Sequence, residues 1–133
     1  MLLLLLLLLI GILFVGALPQ QIDDALKKRV GLAMGMFEMM DLAGGDIGWR
    51  QRKELGLTVK DNRESNKRYC CLPDKLCEKT FFGQKTSQGW YRYDPSAPRT
   101  PIVSNETTKL IHEHREAEVL SYFFLALFIC NNM

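Results

Sequence analysis

Apolar and polar positions along the chain fall into stretches with different rhythms. Residues 1–17, MLLLLLLLLIGILFVGA, are apolar almost without a break. From there Ile22, Leu26, Val30, Ala33, Phe37 and Met40 recur at steps of three or four, which is one face of a helix over residues 21–43. Asp23 and Asp24 fall in its first turn, where carboxylates suit the helix dipole. Gly44-Gly45 is its predicted end. Between Val30 and Ala43 only Glu38 and Asp41 interrupt the apolar run, and Gly31 and Gly35 form a small-xxx-small pair suited to close packing. A second helix is predicted over residues 106–130, where Leu110, His114, Ala117, Ser121, Phe124 and Phe128 share a face. Its last part, VLSYFFLALFIC at 119–130, is apolar all round. That part rises only about 18 Å, short of the roughly 30 Å hydrocarbon core of a bilayer.

The middle of the chain changes character. Leu55, Leu57 and Val59 alternate, which predicts a short strand before the Asp61-Asn62 turn. Thr80-Phe81-Phe82 and Trp90-Tyr91-Arg92-Tyr93 predict two further strands around residues 83–89, a hairpin. Pro95, Pro98 and Pro101 suggest an exposed, polyproline-like connector. The expected fold class is a small α+β domain stapled by disulfides. Its two helices, about 21–43 and 106–130, flank an irregular region with a short β-hairpin, and their apolar faces pack on each other.

The leucine run adds a compartment to this picture. Followed by Ile, Phe and Val, it has the core of an export signal. Val15 and Ala17 are small enough for the −3 and −1 positions of a cleavage site. Cleavage after Ala17 leaves residues 18–133 as a single small secreted domain. Export makes the four cysteines, Cys70, Cys71, Cys77 and Cys130, readable as two disulfides. Neighbouring Cα atoms lie about 3.8 Å apart, whereas relaxed disulfides want roughly 4.4–6.8 Å. A Cys70–Cys71 bond is therefore disfavoured, leaving the two pairings that tie one of the doublet to Cys77 and the other to Cys130. Asn105-Glu106-Thr107 is a glycosylation sequon, with Asn105 as the acceptor. Lys27-Lys28-Arg29 and Lys67-Arg68 are candidate processing sites in a secretory precursor. A cut after Arg68 would free a peptide beginning Tyr69-Cys70-Cys71, a layout similar to that of many venom and defence peptides.

Composition narrows the function. The chain has 133 residues, 24% charged, and a net charge of +2, which excludes a strongly basic nucleic-acid binder and a multidomain enzyme. Arg50, Arg52, Lys53, Lys60, Arg63, Lys67 and Arg68 make residues 46–69 basic, as a solvated surface loop or a contact for polyanions or anionic lipid heads. His112 and His114 stand at i,i+2, about 200° apart on a helix, and cannot share a metal from one face. No His-Glu-x-x-His, Gly-x-Ser-x-Gly, phosphate-binding glycine loop or CxxC pair is present. No catalytic, cofactor-binding or metal residue is assigned on this basis.

Residues 70–77, Cys-Cys-Leu-Pro-Asp-Lys-Leu-Cys, are similar to the signature of the secreted phospholipases A2, in which two cysteines are followed by x-x-His-Asp-x-Cys. Asp74 stands in place of the histidine that would activate water, and Lys75 in place of its aspartate. The resemblance implies an inactive relative that does not hydrolyse phospholipid. The leading expectation is an exported, non-enzymatic protein or peptide precursor that binds an extracellular receptor, channel or surface. The second is a surface-retained or membrane-associating protein using apolar segments 30–43 and 119–130. The third is the inactive phospholipase-like protein.

Overall fold

The computed structural model describes residues 16–59 and 69–131, without the side chains of 119–131. Most of the leucine run, and Lys60, Arg63, Lys67 and Arg68, lie outside the described residues. The elements are α1 (Pro19–Ala25), continued by a π-helical turn (Leu26–Val30), α2 (Met36–Ala43), α3 (Gly45–Glu54), α4 (Leu72–Glu78), a 3-10 turn (Gln84–Thr86), β1 (Tyr91–Asp94), β2 (Ala97–Val103) and α5 (Asn105–Asn131). Among the described residues no helix is long and apolar enough to cross a membrane.

The helix expected over 21–43 is two helices. Gly31 adopts φ +78°, a left-handed conformation that glycine takes at little cost and that stops the first helix. The chain then turns, and α2 starts afresh after Gly35. A Cβ on Gly35 would lie 2.2 Å from Asp23 Cγ, so the glycine is where α2 rests on the Asp23 side chain. The two glycines thus mark a break and a close approach within this segment. They do not form a seam along one helix.

The strand expected at 55–59 is a turn. Gly56 (φ +70°) follows the last turn of α3. Its N–H donates to Lys53 O (3.0 Å) and that of Leu57 to Arg52 O (2.9 Å), a paired helix stop that outweighs the Leu55–Val59 alternation. The hairpin is also displaced. β1 pairs antiparallel with β2, Tyr91 opposite Val103 and Asp94 opposite Ala97, and not with residues 80–82. Asp94 Oδ1 accepts from the Ser96 N–H (2.8 Å) and hydroxyl (2.6 Å), which folds Asp94-Pro95-Ser96 into the connecting turn. Pro98 and Pro101 are tolerated because β2 is the outer strand of a two-stranded sheet.

Tyr91 and Tyr93 point inward from β1 and Arg92 and Asp94 outward. The tyrosines meet Ile22 from α1, Phe37 from α2, Leu72 and Leu76 from α4 and Ile111 from α5 in one core. Phe37, fully buried, contacts Trp90 edge to face at 4.8 Å between centroids. This core, and not a set of disulfides, holds the chain. Cys70, Cys71 and Cys77 are free thiols. Their surroundings differ: Cys71 Sγ faces His114, whereas Cys77 Sγ lies against Gly45 of α3. The Cys130 side chain lies outside the described residues. The disulfide-stapled α+β expectation is corrected to a helical fold with one small sheet.

Candidate functional site

Two buried carboxylates organise the centre of the molecule. Asp41, on the last turn of α2, is 3% exposed. Its Oδ1 accepts the Trp90 N–H and its Oδ2 accepts both the Tyr91 N–H and the Tyr93 hydroxyl, all at 2.9 Å. Asp23, on α1, is 1% exposed. Its Oδ1 accepts the Phe37 N–H (3.0 Å) and its Oδ2 the Glu38 N–H (3.1 Å), so it caps the start of α2 across a separation of fourteen and fifteen residues. Asp23 Oδ2 also accepts the Tyr91 hydroxyl at 2.9 Å. Tyr91 therefore joins both carboxylates, with its backbone on one and its phenol on the other. Gly83 and Gly89 seal the arrangement, since a Cβ on either would lie 2.2 Å from an Asp41 oxygen.

The electrostatics follow from this burial. Removal from water pushes the Asp41 carboxyl up to about 6, against three donors that favour the charged form. Burial raises Asp23 as well. Burial and the facing carboxylates drive the Tyr91 and Tyr93 phenols far above their ordinary range, so both act only as hydrogen-bond donors here. These groups are fully engaged with one another. They can position α1, α2 and β1, and they offer no free base to a ligand.

Beside Asp41 lies a cleft of about 190 Å³, walled by Gly44, Gly45, Gly48, Leu76, Phe82 and Trp90. Arg52 stands at its edge and is held by Asp74 of α4, whose Oδ1 accepts from its Nε (2.9 Å) and Nη2 (2.7 Å). The Tyr69 hydroxyl donates to Asp74 Oδ2 at 2.5 Å. At the start of α3 Asp46 pairs with Lys85 and with Arg50 (3.5 Å). Residues 70–77, the stretch similar to a phospholipase signature, thus use Asp74 as an ion-pair partner inside a helix.

The positions singled out from sequence do not converge. Lys27 pairs with Glu38 (2.5 Å) and Lys28 with Asp24 (3.0 Å), while Arg29 is exposed on the π-helical turn. Lys67 and Arg68 are outside the described residues. Asn105 opens α5 and is exposed, but Thr107 of the same triplet is 1% exposed and donates its hydroxyl to Gly89 O (2.8 Å). The sequon is thus built into the start of a helix. Ala17 and Leu18, flanking the expected cleavage point, pack against the core, and Arg115 donates to the Ala17 carbonyl. Asp41, Tyr91, Tyr93 and the Arg52–Asp74 pair went unassigned. The available signal was Asp41 itself, an acid inside an otherwise apolar run.

Comparison with known proteins gives this geometry a context. Residues 1–93 match the family described as 3-hydroxyacyl-CoA dehydrogenase, C-terminal domain. The peroxisomal bifunctional enzyme of Danio rerio is 48% identical over 101 residues, covering 68% of this chain and 14% of that enzyme. The Homo sapiens enzyme of the same name is 39% identical over 108 residues, covering 76% of this chain and 15% of that one. The chain thus spans about one seventh of the length of these relatives. Its fold resembles the crystal structure of the dehydrogenase part of multifunctional enzyme 1 from C. elegans, with a TM-score of 0.58 at 23% identity, over 74% of this chain and 20% of that one.

These findings overturn the expectation of a secreted, glycosylated, non-enzymatic peptide precursor that binds an extracellular receptor or channel. The matched domain is that of a dehydrogenase, and the relatives are named as enzymes of the peroxisome. A leucine run gave the export reading, yet the family match runs through it from residue 1. With its helices and small sheet, its buried aspartates inside the matched region and its relatives, this chain belongs to the 3-hydroxyacyl-CoA dehydrogenase C-terminal domain family.

Proposed function

We propose that the chain serves as the helical module of a peroxisomal enzyme that oxidises 3-hydroxyacyl-CoA thioesters, and that it shapes one wall of the substrate site. The observation that carries this reading is the match of residues 1–93 to the dehydrogenase domain family, a span that contains Asp23, Asp41 and all the residues that line the cleft. Oxidising a secondary alcohol to a ketone removes a hydride equivalent and a proton, and such chemistry is usually done by a bound dinucleotide. The residues here do not fit that group. No glycine-rich phosphate loop is present in the sequence. The cleft is also smaller than the roughly 300–1,000 Å³ of complete small-molecule sites. Binding and positioning are therefore assigned to this chain, and hydride transfer to elements outside its sequence.

A chimera tests this. The matching segment of the Danio rerio relative is replaced by this chain, and oxidation of a 3-hydroxyacyl-CoA is followed. Retained turnover is the expected result. A chimera that melts cooperatively yet neither binds nor oxidises the thioester would refute the assignment.

A further inference from the structure

Three thiols are described, and one of them meets a base. Cys71 leads into α4, and its Sγ lies 3.8 Å from Nδ1 of His114 on α5. His114 is 4% exposed, whereas Cys71 is half-buried. Among the described residues, the titratable groups around the pair include Cys70, Asp74 and Lys75 on α4, and Glu118 on α5. Burial first, and the Lys75 charge second, hold the imidazole below its ordinary value, while Glu118 opposes them. At neutral pH His114 is thus an uncharged base beside a thiol. Burial pushes Cys70 and Cys77 up to about 11, so neither competes with Cys71 for the first reaction with peroxide.

We propose that Cys71 is a peroxide-reactive modification site, with His114 as its base and Cys70 as the resolving thiol. His114 Nδ1 takes the Cys71 proton, and the thiolate attacks one oxygen of a hydroperoxide. The O–O bond breaks, Cys71 becomes a sulfenic acid, and the departing oxyanion takes the proton from His114 and leaves as water or an alcohol. The Cys70 sulfur then attacks the sulfenic sulfur as its own proton passes to the departing hydroxide, so the S–O bond breaks, water leaves, and a Cys70–Cys71 disulfide forms. Two thiols and one hydroperoxide give one disulfide, one water and one alcohol or second water. The sulfurs lose the two electrons that the peroxide gains. Adjacent Cα atoms about 3.8 Å apart strain such a bond, and strained disulfides are readily reduced, so the modification is reversible.

The test treats the purified full chain with hydrogen peroxide, traps sulfenic acid with dimedone and maps the peptides by mass. In Cys70→Ser the adduct is expected on Cys71, and in the unsubstituted chain a Cys70–Cys71 bond. His114→Asn should slow Cys71 oxidation by about tenfold or more. Lys75→Met leaves the α4–α5 joint in place and should shift the acid limb of the rate–pH profile upward, a response that a purely structural histidine would not give. Oxidation of Cys77 or Cys130 ahead of Cys71 would overturn the proposal. So would a Cys71 rate no faster than that of free cysteine, or a pH profile that neither variant moves.

Discussion

Gly83→Ala isolates how closely the loop before β1 approaches the Asp41 backbone. Gly83 has φ +111° and ψ −147°, a region nearly closed to residues with a Cβ, which costs about 1–3 kcal/mol to occupy. A Cβ there would stand 2.2 Å from the Asp41 carbonyl oxygen, 2.7 Å from its Cα and 2.8 Å from its carbonyl carbon. All three atoms are backbone, so no side chain can swing aside and the loop must move by roughly 1 Å. That movement strains the Gly83 N–H bond to Gln88 O (2.8 Å) and the return bond from Gln88 N (3.2 Å), each worth about 1 kcal/mol. The expected loss is about 3–5 kcal/mol, a large share of a stability of roughly 5–15 kcal/mol. Gly31→Ala is the control. It shares a positive φ (+78°) but has nothing within 4 Å, so only the conformational penalty of about 1–2 kcal/mol applies. Urea unfolding at 25 °C, followed by tryptophan fluorescence, gives both values, with an unchanged m-value showing that the unfolded state is the same. If the two variants lose equal stability, the close approach of Gly83 to Asp41 contributes nothing and the reasoning fails.

Asp41 also sets a pH dependence. Its carboxyl is raised from 3.8 to about 6 on folding, so its contribution to stability is fully present below pH 4 and is lost as pH rises through 6, by about 3 kcal/mol. Asp41→Asn removes this titration, so the stability gap between the two proteins should narrow from pH 4 to pH 7; a constant gap in urea titrations would contradict it. Arg52→Met leaves the buried Asp74 without its ion-pair partner, and should lose about 3–5 kcal/mol. Most of that loss should be recovered in Arg52→Met/Asp74→Asn, and a double-mutant cycle with no coupling would disprove the pairing.

Local signals in the sequence were legible where one residue decides the conformation, and illegible where a distant partner does. The acid at Asp41 and the glycines at 31 and 35 stand out in an apolar stretch. The meaning of Asp41 depends on Trp90, Tyr91 and Tyr93, which arrive about fifty residues later. Periodicity therefore joined two helices into one, because an Asp23 side chain that starts α2 leaves no mark on the hydrophobic rhythm. Three prolines suggested a connector, yet an outer strand tolerates two of them, and the Asp94 side chain supplies the turn that holds the third. The candidate site was hidden for the same reason. Its carboxylates look like helix-surface acids until the fold buries them. The export reading was a compositional inference from a leucine run, and composition carries no information about the domain that follows it.

The double engagement of Tyr91 has a consequence for the order of assembly during synthesis. Asp23 and Asp41 leave the ribosome long before Tyr91, whose phenol and amide they need, at separations of 68 and 50 residues. Until then Asp23 has only the Phe37 and Glu38 amides and Asp41 has none of its three donors, so water must serve the remaining sites. The docking of α1 and α2 thus waits for a non-local closure. Any chain released before Tyr91 presents an apolar, half-formed helix pair, a ready target for proteases and chaperones.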